Sequence, residues 1–507
     1  MIKINGNQLT LNQIIKVSQE KENVSLGEDS LQRITSSRQV LEKILDRDFP
    51  VYGINTGYGT FANKKITPDG IESLNRNLII SHAVGCGEPL SKEIVRAAML
   101  IRANTLAKGF SGVRVGLIQT LIDMLNKGVI PLVKSQGSLG SSGDLCMLAQ
   151  LALVLSKNET DKDEESGMAE YQGNILTGKN AMRKAKICRI QLMAKEGLAI
   201  INGATFSAAV AALTVVKGIY AIDVANHACA LTIEALLGNR EPFDPRIQEV
   251  RGLDGQKVIA KNILELISGS TFADSGKHIQ DPYSIRCVPQ IHGAITDTFK
   301  YGRVIIEKEI NAATDNPLIF GEDIISGGNF HGEPIALIMD FLAIALTELA
   351  AVSERRISQL TDATLNHGLP HMLVGTSAET GLNSGVMIPQ YTAASLVLEN
   401  RTLSSPDSIH SLPTSANQED HNANAMTAAR HAMQILENTL YVLSIELFVA
   451  VRALKIRKLM SPEKELGSKD QIIFDKINKL IPYRAEDQIW SIEIDQIYEK
   501  INNCDLI

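Results

Sequence analysis

Residues Gly137-Ser138-Leu139-Gly140-Ser141-Ser142-Gly143, followed by Asp144 and an apolar run from Leu145, form a turn able to do chemistry on its own backbone. Glycine has no Cβ to block approach and tolerates strained backbone angles, so the Gly143 amide nitrogen can attack the Ser141 carbonyl carbon. Loss of one water closes a five-membered imidazolone. Loss of a second from Ser142 leaves an exocyclic methylidene, an electrophile that no ordinary side chain supplies. Such a group suits a lyase or mutase acting on amino groups. The plainer use of a Gly/Ser turn ahead of a helix is to cap it or to hold an anion at its N-terminus. Other familiar signatures fit poorly: there is no phosphate loop ending in Gly-Lys-Ser/Thr, no G-x-G-x-x-G spacing and no G-x-S-x-G elbow.

The elements that must hold this turn read mostly as helix. Glu196 to Leu237, Pro334 to Leu360 and Asn424 to Leu459 are long, small-sided and sparsely charged, which predicts helices buried by neighbours in a bundle. The 507 residues are 44% hydrophobic but only 5% aromatic, in keeping with Ala/Leu helix packing. Asp340 and Glu348 interrupt the most apolar stretch and argue against a membrane span. The turn-rich segments 51–61, 280–290, 314–334 and 404–421 interrupt the helices, and loops on a rigid scaffold are where function tends to sit. Segment 156–170 reads as a solvated excursion and the tail from Ile472 as a peripheral amphipathic layer. A net charge of −7 suggests neither a nucleic-acid nor a membrane-surface partner. The N-terminus shows no signal-peptide run, and six cysteines without C-x-x-C or His spacing predict reduced thiols in the cytoplasm and no metal site.

At its loops the chain resembles the aromatic amino acid ammonia-lyase family, which also includes aminomutases. The resemblance rests on ordered motifs: Tyr52-Gly53-Ile54-Asn55-Thr56-Gly57, Ser81-His82-Ala83-Val84-Gly85, the Gly137 to Leu145 turn, Asn202-Gly203, Gln280-Asp281-Pro282-Tyr283-Ser284-Ile285-Arg286, Gly328-Asn329-Phe330-His331-Gly332 and Asn417-Gln418-Glu419-Asp420-His421. It implies a mainly all-α fold of the fumarase/aspartase-like kind. A loop-rich N-terminal domain, residues 1–204, would precede a long-helix bundle, residues 205–507. It also implies a homotetramer whose active sites are shared between subunits, a small amino acid as substrate, and no dissociable cofactor.

Residue by residue, the resemblance makes Ser141-Ser142-Gly143 the source of a 4-methylidene-imidazol-5-one, with Ser142 supplying the methylidene carbon. The family usually has alanine first, and the flank Cys146-Met147 also departs from its pattern. Chemically the first side chain is only a substituent on the ring. Tyr52 matches the catalytic base; a phenol near pKa 10 needs nearby positive charge or a helix dipole to act at neutral pH. Tyr283 matches a second catalytic tyrosine. Arg286 matches the carboxylate fork, Asn202 and Gln280 the amide donors, and Phe330 a residue packed near the electrophile. Ser81-His82 and the Glu419 form of the last motif resemble the histidine-specific members. A carboxylate facing the substrate pairs with an imidazole N–H but is left unpaired against benzene, a penalty of roughly 1–3 kcal/mol or more. The expected reaction is elimination of ammonia from L-histidine to trans-urocanate, opening histidine degradation. The open alternatives are a lyase or 2,3-aminomutase on another aromatic or modified imidazole amino acid, and a non-catalytic homologue.

Overall fold

The computed structural model describes residues 1–45, 50–375 and 381–507. Among them eighteen α-helices account for most of the chain, and the eleven strands are two to four residues long. The chain is mainly helical, as its apolar runs require. Thr205–Ala235, Glu333–Thr361 and Ala425–Met460 are the three longest helices. The first two are long and apolar enough to cross a bilayer, and 67% of each apolar window is buried inside the protein.

One expected helix is broken. Glu196–Ile201 stops at Asn202, which is extended (φ −86°, ψ 125°), and Gly203 has φ +120° before the helix restarts at Thr205. Asn202 therefore ends a helix rather than sitting in the middle of one. A composition of Ala, Ile and Leu on both sides hid the interruption.

The described chain gathers into two compact units, each assembled from three stretches: 1–216, 302–340 and 406–430 in the first, 217–301, 341–405 and 431–507 in the second. The sequence reading placed a single cut at 204/205. The boundaries instead recur along the chain, and those at 216/217, 340/341 and 430/431 fall inside the three longest helices.

In the first unit the helix Lys92–Ala107 is buried from Ile94 onward. Its Arg96 guanidinium donates to the carbonyls of Val17 and Leu125, in the last turns of helices Leu11–Ser18 and Val115–Lys127. Both carbonyls lie where the helical ladder runs out, and Leu125 O also accepts from the Gly128 N–H at 3.3 Å. Arg102, one turn and a half further on, reaches Ala199 O (3.0 Å) and Thr205 Oγ1 (2.6 Å), one on each side of the break. Lys195 and Asp315 form a wholly buried ion pair at 2.5 Å. Ile54 anchors the Tyr52 loop by packing with Leu41, Ala194 and Ile319. Segment 156–170 is not simply solvated: Ser156 and Ser166 are fully buried, and Met168–Tyr171 pairs with Ile130–Pro131 and Asn174–Thr177. Its polar side chains are used internally, for example Asp163 Oδ1 accepting from Thr177 at 2.6 Å.

In the second unit, Glu446 is buried and accepts from Arg356 at both oxygens (2.5 and 2.8 Å), Ser353 (2.6 Å) and Thr232 (3.1 Å). The tail helices Ser468–Leu480 and Trp490–Asn502 turn Ile473, Phe474, Ile477, Ile494, Ile497 and Ile501 inward, which gives the expected amphipathic layer.

Candidate active site

The break at residues 202–204 meets the reactive turn. Gly203 N–H donates to Ser142 O (3.2 Å), Asp144 N–H donates to Gly203 O (3.0 Å), and Gly143 and Gly203 form a parallel bridge. A Cβ on Gly143, at φ +76°, would lie 2.0 Å from the Gly203 carbonyl carbon; only glycine fits. Asn202 Nδ2 adds a second donor to Ser142 O at 2.9 Å. This carbonyl oxygen thus faces two N–H groups, the arrangement that stabilises charge developing on an oxygen. Asn202 Oδ1 is buried with no hydrogen-bond partner among the described residues.

Asp144 clamps the turn from behind. It is wholly buried and accepts from Ser138 Oγ, Ser207 Oγ and Ser207 N, each at 2.8 Å. Burial pushes its carboxyl above the ordinary value, and the hydrogen bonds from Ser207, Ser138 and Phe206 oppose that. The helix Leu145–Leu155 does begin beside the turn, as expected. The Asp144 side chain, however, caps the other helix, at Thr205. Two helix N-termini therefore lie next to Ser142 and Gly143 in the chain or across the bridge, each carrying a partial positive charge.

A cavity of about 1090 Å³ opens in front of the turn, within the first unit. Tyr52, His82, Ser141, Ser142, Asn202, Phe330 and Glu419 all line it, and Gly143 is buried behind. Gln280, Tyr283 and Arg286 do not; they belong to the second unit. There Tyr283 is 68% exposed, and the Arg286 guanidinium stacks 4.6 Å over its ring. Asp281 fixes their loop by accepting from Asn239 N (2.9 Å) and pairing with His278 Nε2 (2.8 Å).

Tyr52 departs from expectation. Burial raises its pKa above 10.0 and the charge of Glu419 adds to that, against a hydrogen bond from the Gly59 backbone. The Gly59 backbone dipole acts in the expected direction, but burial outweighs it. Burial also lowers the pKa of His82, whose Nδ1 lies 3.0 Å from Ser81 Oγ, favouring the neutral ring.

Glu419 meets the reactive turn directly. Its Oε1 accepts from Ser142 Oγ and its Oε2 from Ser141 Oγ, both at 2.9 Å, and Thr414 Oγ1 is 3.4 Å from Oε2. The loop presenting it is strained: Ser415, Ala416 and Asn417 all have positive φ (51°, 51° and 66°). Thr414 N donating to Glu419 O at 2.8 Å closes the loop around them. Three successive non-glycine residues in the left-handed region persist only where the surroundings over-determine them, typically at working sites. Sequence reasoning missed Asp144 as a clamp, Thr414, and Arg102 behind the break. An acid between a glycine and an apolar helix was the one available hint for the first; the others are set by tertiary contacts alone.

Known proteins match this chain over nearly its whole length. The family model for aromatic amino acid lyases matches residues 9–479. The histidine ammonia-lyase of Alkaliphilus metalliredigens is 46% identical over 100% of this chain and 97% of its own length. Among solved structures, the histidine ammonia-lyase of Trypanosoma cruzi superimposes with a TM-score of 0.90 at 34% identity, covering 100% of this chain and 94% of that one. The phenylalanine aminomutase of Pantoea agglomerans gives 0.92 at 32% identity, over 99% of each chain. Matched by this family's model over residues 9–479 and by full-length relatives that are ammonia-lyases, the protein belongs to the aromatic amino acid lyase family.

Proposed function

We propose that the protein is a histidine ammonia-lyase, converting L-histidine to trans-urocanate and ammonia. The observation that carries the reading is the Glu419 carboxylate, held 2.9 Å from Ser142 Oγ at the reactive turn. A carboxylate there selects a substrate bearing a ring N–H and leaves a benzene ring unpaired.

Ser141-Ser142-Gly143 is the proposed source of a 4-methylidene-imidazol-5-one. Gly143 N bonds to the Ser141 carbonyl carbon, and that oxygen leaves as water with the protons of the Gly143 and Ser142 amides. Ser142 then loses its Cα proton and its hydroxyl as a second water. The residues fit the product: glycine alone clears Gly203, and Asn202 Nδ2 and Gly203 N–H already address the oxygen that the ring would carry. When formed, the group supplies an electrophile for the substrate's amine or ring.

The chain's own residues do the rest. Tyr52 removes the β-proton, and because burial holds its phenol protonated here, its anion needs a cation brought close to it; Lys64 lines the same cavity. Asn202 Oδ1 accepts from the substrate's amino group. Gln280, Tyr283 and Arg286 bind the carboxylate and assist the departing amine from a second copy in a homotetramer. That they belong to the second unit and are not among the residues lining the cavity supports that sharing. Six free thiols favour a cytoplasmic setting.

The test is to offer L-histidine, L-tyrosine and L-phenylalanine separately and follow the ultraviolet signature of the conjugated product, with intact mass measured alongside. Turnover of histidine by protein two waters lighter than its sequence is expected. An unshifted mass with no product from histidine overturns the reading. Likeness to an aminomutase favours one second reading, in which the amine returns to the bound product at the β-carbon; chiral analysis of recovered amino acid distinguishes it.

A further inference from the structure

The two oxygens of Glu419 are held by donors of different permanence. Oε1 accepts from Ser142 Oγ, and Oε2 accepts from Ser141 Oγ with Thr414 Oγ1 further off. In the proposed closure the Ser142 hydroxyl leaves as water, so Oε1 loses its donor. The Ser141 hydroxyl takes no part in either dehydration and stays. We propose that Ser141 is a positioning residue for specificity: its hydroxyl holds Glu419 by Oε2 so that Oε1 is aimed into the cavity for one N–H donor, the imidazole N–H of the substrate.

This inference rests on the reading above and gives a use to the residue that sequence reasoning treated as a passive ring substituent. Three features support it. Ser141 is 8% exposed, so its hydroxyl has little water to turn to and remains on the carboxylate. The Glu419 backbone is fixed by the strained Thr414 loop, leaving side-chain rotation as its main freedom. A hydrogen bond to one oxygen of a carboxylate removes that rotation and lowers the ordering cost of binding. In the open chain the Ser142 hydroxyl occupies one acceptor position of Oε1, and its departure as water frees that position for the substrate.

The experiment uses the full chain. Ser142→Ala removes the Oε1 donor and, with it, the hydroxyl whose loss forms the methylidene, so L-histidine binding can be read by calorimetry without turnover. Adding Ser141→Ala to it is expected to weaken histidine binding about tenfold, the size of one hydrogen bond to a charged group. L-phenylalanine binding should be unchanged. In a Ser142→Ala/Glu419→Gln background the Ser141→Ala effect should shrink by most of that factor. Equal histidine affinity with and without the Ser141 hydroxyl overturns the proposal, as does an equal loss for phenylalanine. The single variant Ser141→Ala should still be two waters light, with KM for histidine raised more than kcat is lowered. Loss of its mass shift would mean that Ser141 serves closure instead, and also overturns the proposal. Failure of the broader reading is separate: it appears as an unshifted mass in the unmutated protein, which the binding comparison does not involve.

Discussion

Glu446 and Glu419 are both carboxylates drawn into the protein, and they are treated in opposite ways. Glu446, in the second unit, is saturated: a two-pronged guanidinium, two hydroxyls and no exposure. Glu419, in the first, has only hydroxyl partners among its described hydrogen bonds and lines a cavity. Full pairing makes a buried charge inert, because no lone pair is left to offer and any change of partner leaves Arg356 stranded. Neutral donors hold a charge in place while leaving it able to accept something better. The same functional group is a rivet in one unit and a receptor in the other.

The comparison can be broken in four ways, from the largest effect down. Ser142→Ala should reduce turnover of histidine by several orders of magnitude and abolish the two-water mass deficit, while thermal unfolding barely moves. A variant with substantial activity would remove Glu419's neighbour from the chemistry altogether. Glu446→Gln should cost about 3–5 kcal/mol of stability by denaturant unfolding, since it leaves a buried guanidinium uncompensated. Substrate preference in the folded fraction should not change. Glu419→Gln should do the reverse: kcat/KM for histidine should fall roughly ten- to hundredfold, or about 1.4–2.7 kcal/mol, with a much smaller change for phenylalanine and little loss of stability. Equal losses on the two substrates would undo the specificity argument.

The smallest effect concerns a third carboxylate that is neither saturated nor available. Glu234 is coupled to Asp470 inside the second unit, where Glu234 Oε2 and both Asp470 oxygens have no hydrogen-bond donor among the described residues; burial lifts the Glu234 pKa from 4.5 to about 8, and Asp470 is also raised by burial. The folded protein therefore keeps a proton that the unfolded chain releases above about 4.5. Stability from the Glu234 proton is complete below that pH and declines as pH rises toward 8, by at most about 1.4 kcal/mol per pH unit. Glu234→Gln should flatten the decline measured by denaturant titrations between pH 5 and 9. An unchanged slope would show that Glu234 does not retain that proton.

What was legible in the sequence follows from what is local. The serine-glycine turn, the Tyr52 loop and the long helices carry their signals in neighbouring residues: glycine where angles are strained, small apolar residues where helices are buried. Seven of the residues singled out beforehand line one cavity because each loop motif is short and self-contained. The break at Gly203 was hidden because its cause is 60 residues away, in the backbone of Gly143. The same holds for the raised pKa of Tyr52, which depends on how deeply its loop is packed, and for the interleaved units, three of whose boundaries lie inside the longest helices. The Ser141 hydroxyl looked incidental because its partner is 278 positions along the chain.

The bridge between Gly143 and Gly203 has a consequence in time as well as in space. The turn is held for reaction by a segment made sixty residues later and by a helix that starts just beyond it. A nascent chain carrying only the first part of the protein thus has the serines but not the frame that presses them together. On the proposed chemistry, closure waits for folding, so the electrophile is born already enclosed and never circulates on an unfolded chain where stray thiols and amines could consume it. Its presence then dates the molecule: each copy that bears it has passed through the native state at least once.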